Sequence, residues 1–205
     1  MANNGPSDPA ATFRELVTTW ERNINSLANQ VMGTESFSRK LAHAAIGLAP
    51  PTVVAQIVEI GALPLYNQDL DAGNVPAAWT DFRDRVRRAQ AVLFVTTEYN
   101  RSVPAPLKNA IDVGSRPYGK SVYSRKPAAI ISCSPGAIGA FGANHHLRQS
   151  LVFLDMPTLQ QPEAYIGGVD KLMDAQGAIV NPATREFLTK YMAAFADWIH
   201  RVGPR

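Results

Sequence analysis

AVLFVTTEYNRSVPAPLKNAIDV, residues 91–113, decides the fold. Ala91 to Val95 is a short, almost wholly apolar run with β-branched content, the pattern of a strand buried on both faces. It ends at a polar knot, Thr96-Thr97-Glu98-Tyr99-Asn100-Arg101-Ser102, and Val103-Pro104-Ala105-Pro106 leads into a helix beginning Leu107-Lys108-Asn109-Ala110-Ile111-Asp112. Pro106 suits a first helical turn, where a missing N–H is no loss. The order is buried strand, polar loop, helix. In open parallel sheets, ligands bind at loops on the carboxyl ends of strands.

Working outward, strand and helix patterns alternate. Residues 36–48 predict a helix with Leu41, Ala44, Ala45 and Leu48 on its apolar side, stopped by Pro50-Pro51; Thr34 or Ser36 is its cap. Residues 52–60 (TVVAQIVEI) predict a strand and 63–71 a loop. Residues 76–90 predict an amphipathic helix with Trp79, Phe82 and Val86 inward. Residues 126–132 (KPAAIIS) predict the next buried strand, 133–141 its carboxyl-end loop, and 143–154 a helix. A weaker last strand is expected to start at Thr158-Leu159-Gln160. Residues 181–202 close the chain as a helix with Asn181 as cap, Pro182 in the first turn, and Phe187, Tyr191, Phe195 and Ile199 at four-residue spacing. This alternation implies an α/β fold, a parallel sheet with helices on both faces.

Composition excludes other classes. The 205 residues are 46% hydrophobic and 18% charged, ordinary globular values that exclude a disordered or coiled-coil chain. A net charge of +3 comes without basic runs or interleaved aromatics, so no nucleic acid partner is expected. No apolar run is long enough to predict a transmembrane helix, and the first residues lack the pattern of a secretion signal. The single Cys133 allows no internal disulfide and suits a cytoplasmic location. It ends a buried strand, where a packed core thiol is expected rather than a redox partner. Asn100-Arg101-Ser102 matches the glycosylation sequon, an accidental match in such a chain. His145 and His146 are adjacent on a helix and point about 100° apart, and His43 and His200 are remote, so no metal site is expected.

The run TEYNRSVPAPLKNAID, together with SCSPGAIGAFGANHHLRQSLVFLDMPTLQQPEAYIG downstream, resembles the paired signatures of the NADPH-dependent FMN reductases, flavodoxin-like quinone, chromate and azo-dye reductases. LPLYNQD at 63–69 is similar to a further family segment. The resemblance implies a flavodoxin-like three-layer αβα sandwich with sheet order 2-1-3-4-5. It implies FMN as cofactor, NADPH (or NADH) as reductant, a small-molecule electron acceptor, and a homodimer or homotetramer with residues 146–149 near the subunit interface. Its cofactor-binding residues would be Thr97, Glu98, Tyr99 and Asn100 in the first loop, with Asn100 on the pyrimidine edge. Ser134, Pro135, Gly136 and Gly139 would form the second loop, and Ser36 and Ser38 would hold the phosphate. No catalytic side chain is implied, because flavin N5 carries the hydride. On residue types alone, the first loop reads as a set of satisfied turn amides, and the two serines are equally a helix cap. Asn109 is expected to brace the first loop, and Lys108 to be a solvated charge.

The chain departs from the family at its beginning. The resemblance starts near Thr34, so residues 1–33 are set apart as an atypical segment from a flavodoxin-like domain at 34–205. Residues 13–32 show helical spacing where the family opens with a buried strand. The family's phosphate loop carries Gly-Ser-x-Arg where this chain has Gln30, Val31 and Gly33. The segment is either truly divergent or translated out of frame. Without the arginine, one charge-assisted contact of about 1.5–3 kcal/mol is missing, roughly tenfold to a hundredfold in affinity. Arg39 and Lys40 are not expected to replace it. A flavin-free scaffold that kept the fold therefore stands as the alternative.

Overall fold

Three parallel strands form the centre: β1 (Val92–Thr96), β2 (Ala128–Ser134) and β3 (Ala164–Gly167), in the order β1-β2-β3. Their register pairs Val92 with Ala128 and Ile131 with Ala164. The computed structural model describes residues 36–203, so the helix expected at 13–32, Gln30, Val31, Gly33 and Thr34 lie outside the described residues. The described helices, in chain order, are α1 (Phe37–Gly47), α2 (Gln68–Ala72), α3 (Ala77–Arg88), α4 (Ala105–Ser115), α5 (Phe141–Phe153), α6 (Val169–Leu172) and α7 (Pro182–Val202).

Alternation along β2 explains the layers. Ala128 and Ile130 face a core built with Trp79 and Phe82 of α3, Leu107 and Ile111 of α4, and Leu147 and Leu151 of α5. Ala129, Ile131 and Cys133 face the opposite core, with Leu41 of α1 and Leu188, Tyr191 and Phe195 of α7. A strand buried on both faces has no polar side to spare, hence the near-continuous apolar sequence. The three-layer αβα arrangement is therefore observed, and each expected helix from residue 36 onward appears within a few residues of its expected limits. Asn181 caps α7 as expected, its Oδ1 accepting the Thr184 N–H at 2.9 Å.

Two strand expectations are corrected. Residues 52–60 form no strand, and Val54 is 98% exposed. In the expected 2-1-3-4-5 order, this strand's only neighbour is the strand that would precede it in the chain. Among the described residues nothing offers it a ladder, and an extended segment without a ladder is not a strand. The last strand is interrupted. Thr158 bridges Ala128 and Leu159 N–H donates to Ala128 O at 2.8 Å, but pairing resumes only at Ala164. The detour at 160–163 contains Pro162, which cannot donate to a ladder. It leaves Ile130 without a strand partner on that side. The Tyr191 hydroxyl takes the place of one, accepting Ile130 N–H at 3.0 Å and donating to Ile130 O at 2.8 Å.

Candidate functional site

The first loop leaves the carboxyl end of β1 and turns sharply. Tyr99 and Ser102 exchange backbone hydrogen bonds at 3.1 and 3.0 Å, and Asn100 and Arg101 between them have φ of 51° and 63°. That is a two-residue turn with both central residues left-handed, a conformation asparagine tolerates better than most residues. Tyr99 and Asn100 are consequently exposed.

The second loop leaves the carboxyl end of the neighbouring strand, β2. Gly139 has φ of 58°, and a Cβ there would meet the Tyr165 carbonyl carbon at 2.5 Å. Only glycine lets the loop lie this close over β3. From beneath, the fully buried Ser132 hydroxyl donates to Gly139 O at 2.8 Å, with Asn144 Nδ2 donating to Ser132 Oγ at 3.1 Å. Gly136, by contrast, is exposed, and its Cβ position is open apart from Ser134 Oγ at 3.6 Å.

The two loops are joined. Glu98 Oε2 accepts the N–H of Ala143, in the first turn of α5, at 2.9 Å. This carboxylate, with a side chain 10% exposed, sits at the end of α5 where free N–H groups and the helix dipole favour negative charge. Gly142 makes the approach possible, since a Cβ there would stand 2.9 Å from both Glu98 Oε2 and Arg101 O. Farther along α5, His146 Nδ1 lies 3.0 Å from Ser102 Oγ. Thr97, Glu98, Tyr99 and Asn100 are thus held beside the loop bearing Ser134, Pro135, Gly136 and Gly139.

A flat ligand with acceptor atoms on its rim fits this place. The N–H groups of Thr97, Glu98, Gly136 and Ala137 have no protein acceptor among the described residues, and such free amides at a sheet end can read a heterocycle's edge. The Glu98 side chain itself is occupied by α5, which leaves its backbone for a ligand. Ser38 lies in the first turn of α1 and Ser36 just ahead of it, and the positions preceding them lie outside the described residues. The fit therefore rests on the two loops. A shallow hollow against α3, lined by Val58, Leu63, Phe82 and Arg85, contains none of these residues.

Asn109 serves a different loop from the one expected. Its Oδ1 accepts Tyr66 N–H at 2.9 Å and its Nδ2 donates to Leu63 O and Pro64 O, both at 3.1 Å, so it pins residues 63–66. Lys108 pairs with Asp112 on the exposed side of α4. Cys133 is buried, and burial pushes its thiol up to about 12, as befits a packed thiol. No cluster of metal-binding side chains occurs among the described residues.

Sequence reasoning missed a cluster beside the second loop. Phe141, His145 and Tyr165 pack together, with ring centroids of Phe141 and His145 4.2 Å apart and of Phe141 and Tyr165 5.2 Å apart. His145 Nε2 lies 2.9 Å from the Tyr165 hydroxyl. Burial, then the hydrogen bond and charge of Glu163, push the Tyr165 phenol up to about 12. Behind Glu163 stands Arg148, held by Asn144 Oδ1 and Leu159 O, with Nη2 buried 4.0 Å from Glu163 Oε1. The four-residue spacing of Phe141 and His145 on one helix was the signal available.

Comparison with known proteins shows the family. Residues 30–171 match the family model of NADPH-dependent FMN reductases. A quinone reductase from Pseudomonas putida is 59% identical over 165 residues, 80% of this chain and 88% of the relative. A 2-hydroxy-1,4-benzoquinone reductase from a Burkholderia species is 45% identical over 165 residues, 80% of this chain and 90% of the relative. The solved structure of FerB, a flavoenzyme NAD(P)H:(acceptor) oxidoreductase from Paracoccus denitrificans, superposes with a TM-score of 0.78 at 39% identity, covering 83% of this chain and 93% of that one. The chain belongs to the NADPH-dependent FMN reductase family.

Proposed function

We propose that this chain is an NAD(P)H-dependent FMN oxidoreductase that delivers electrons to quinones, with azo compounds and metal oxyanions as further acceptors. FMN, when bound, supplies the two-electron chemistry between nicotinamide and acceptor. The observation that carries this reading is the clamp between Glu98 and Ala143, which fixes two sheet-end loops side by side. In this reading the amides of Thr97 and Glu98 and the side chain of Asn100 read the pyrimidine edge, and Tyr99 flanks the ring. Ser134, Pro135, Gly136 and Gly139 line its other border, and Ser36 and Ser38 hold the phosphate at the start of α1. Glycine at 136 lets the ring approach the backbone. Both substrates use one open face in turn, which gives ping-pong kinetics.

The domain runs from about residue 34 to the end, with residues 1–33 outside it, and it works in the cytoplasm as a homodimer or homotetramer. Support for assembly comes from the exposed Val152 and Phe153 on the last turn of α5. No described helix is long and apolar enough to cross a membrane.

The test is direct. The full chain is mixed with FMN and gel-filtered, and its visible spectrum and NADPH consumption with benzoquinone are recorded. Yellow protein with turnover is expected. Colourless soluble protein favours the flavin-free scaffold, for which the missing Gly-Ser-x-Arg positions argue, and refutes the enzyme.

A further inference from the structure

β1 carries an edge that the rest of the sheet does not complete. In its ladder with β2, Val92 N–H donates to Pro127 O at 2.9 Å, and the parallel register pairs Val92 with Ala128 and Thr96 with Ser132. Successive residues of a strand direct their N–H and C=O groups to opposite sides. Val92, Phe94 and Thr96 therefore serve β2, while the backbone groups of Leu93 and Val95 point outward. Among the described residues no strand pairs with β1 on that side. Open edges are ordinarily blunted by a charge, a proline or a bulge, and VLFVT has none of these.

Both faces beside this edge are apolar and incompletely covered. Ala128 to Cys133 of β2 are all buried, whereas Val92, Leu93 and Val95 of β1 are half-buried. α1 overlies β1 on one face, with Leu41 and Ala45 in the core that Leu93 and Val95 join. On the other face, Val58 and Ile60 pack against the core that contains Phe94. Arg39 of α1 pairs with Glu59 at 2.8 Å, which links the two covers. From Val54 to Ile60 no backbone N–H has a protein acceptor among the described residues, so this segment is short of a ladder as well.

We infer that the outer edge of β1 is an acceptor site for one extended peptide strand supplied in trans, apolar on both faces and matching the five residues of β1. The edge dictates this chemistry. The N–H and C=O groups of Leu93 and Val95 recur at about 6.7 Å, the repeat of alternate strand residues, and an extended backbone has the same repeat. A small aromatic ligand would leave them unpaired. One face of the added strand meets the core of Phe94 and Ile60, the other that of Leu41 and Ala45, so a charge on either face is excluded. Main-chain bonds supply the affinity in strand addition, and the side-chain positions on each face supply the selectivity. Neither sheet-end loop takes part, so the inference does not depend on the function proposed above.

The probe is a peptide in which the β2 run AAIIS, residues 128–132, stands between lysine tails; it is apolar on both faces and already fits a strand beside β1. The full chain is titrated with it, and amide hydrogen exchange is followed by NMR. Exchange at Leu93 and Val95 is expected to slow with peptide concentration, by about tenfold at roughly ten times the Kd. The same peptide N-methylated at each alanine and isoleucine is expected to have no effect. Val95→Pro removes an outward N–H and no bond to β2, and is expected to weaken the peptide about tenfold or more, read at Leu93. The N-methylated peptide is tested on wild type, so the decision does not hang on the folding of the proline variant. No slowing up to about 1 mM peptide, or equal slowing by the N-methylated peptide, overturns the inference. Slowing that rises with protein concentration in the absence of peptide makes a second copy the occupant and overturns it too.

Discussion

Replacing Glu98 with alanine separates the two loops without touching either backbone. The carboxylate that is removed accepts a charge-assisted hydrogen bond from Ala143 at 2.9 Å and lies at the positive end of α5. A hydrogen bond to a charged group contributes about 1.5–3 kcal/mol, and the dipole adds a few tenths to one. The ion pair with Arg101 adds little, because that arginine is 75% exposed and 3.5 Å away. The sum is about 2–4 kcal/mol, which in a domain of this size lowers Tm by roughly 4–16 °C. The variant also frees the first loop, which a ligand must then re-order. One residue's worth of ordering, about 1.4 kcal/mol, weakens FMN binding about tenfold. Thermal melts followed by circular dichroism and FMN fluorescence titration measure the two effects. Glu186→Ala, removing an exposed helix-surface pair, serves as the control with no expected change. A Glu98→Ala protein that melts within 1 °C of wild type and binds FMN equally well refutes the clamp.

Three further expectations follow from buried polar contacts. Asp71 accepts two 2.8 Å hydrogen bonds from Arg83 in a nearly buried pair, and those hydrogen bonds hold its carboxyl below the usual carboxylate range. Asp71→Asn therefore loses about 3 kcal/mol at neutral pH. A depressed folded-state pKa contributes stability above the unfolded value of about 3.9 that disappears as pH falls through the folded one, so the gap between variant and wild type in urea melts closes below about pH 4. Tyr191→Phe strips both Ile130 backbone groups of their partner and costs about 2–3 kcal/mol by the same melts. Asn109→Ala releases three backbone groups of residues 63–66, so limited proteolysis cuts there at least several-fold faster while β1 and β2 stay protected from hydrogen exchange.

The legible parts of this fold are those whose neighbours are near in sequence or whose burial is complete. β2 announces itself because both its faces are covered, and α7 because its apolar residues recur every four positions behind an asparagine cap. Residues 52–60 carry an equally good strand pattern, but a strand exists only through a partner, and pattern says nothing about whether the partner is there. The two loops proposed to bind the cofactor were singled out through their resemblance to a family and not through residue types, which describe any polar turn. The role of Glu98 was hidden because its partner lies 45 positions away on a helix N–H that leaves no mark in sequence. His145 and Tyr165 meet for the same reason, across 20 positions and two elements. Asn109 shows the reverse error, in which proximity along the chain suggested the first loop and geometry assigned it a segment more than 40 positions earlier.

The Tyr191 hydroxyl has a consequence for how this chain tolerates change. A sheet normally converts any inserted or deleted residue into a slip of everything beyond it. Here the detour at 160–163 is flanked by two separate anchorages, Thr158 to Ala128 and Ala164 to Ile131, and the position between them is satisfied by a side chain from the far end of the chain. Length variation in the detour is thereby uncoupled from alignment. The segment that presents Glu163 is free to vary while the scaffold beneath it stays in step.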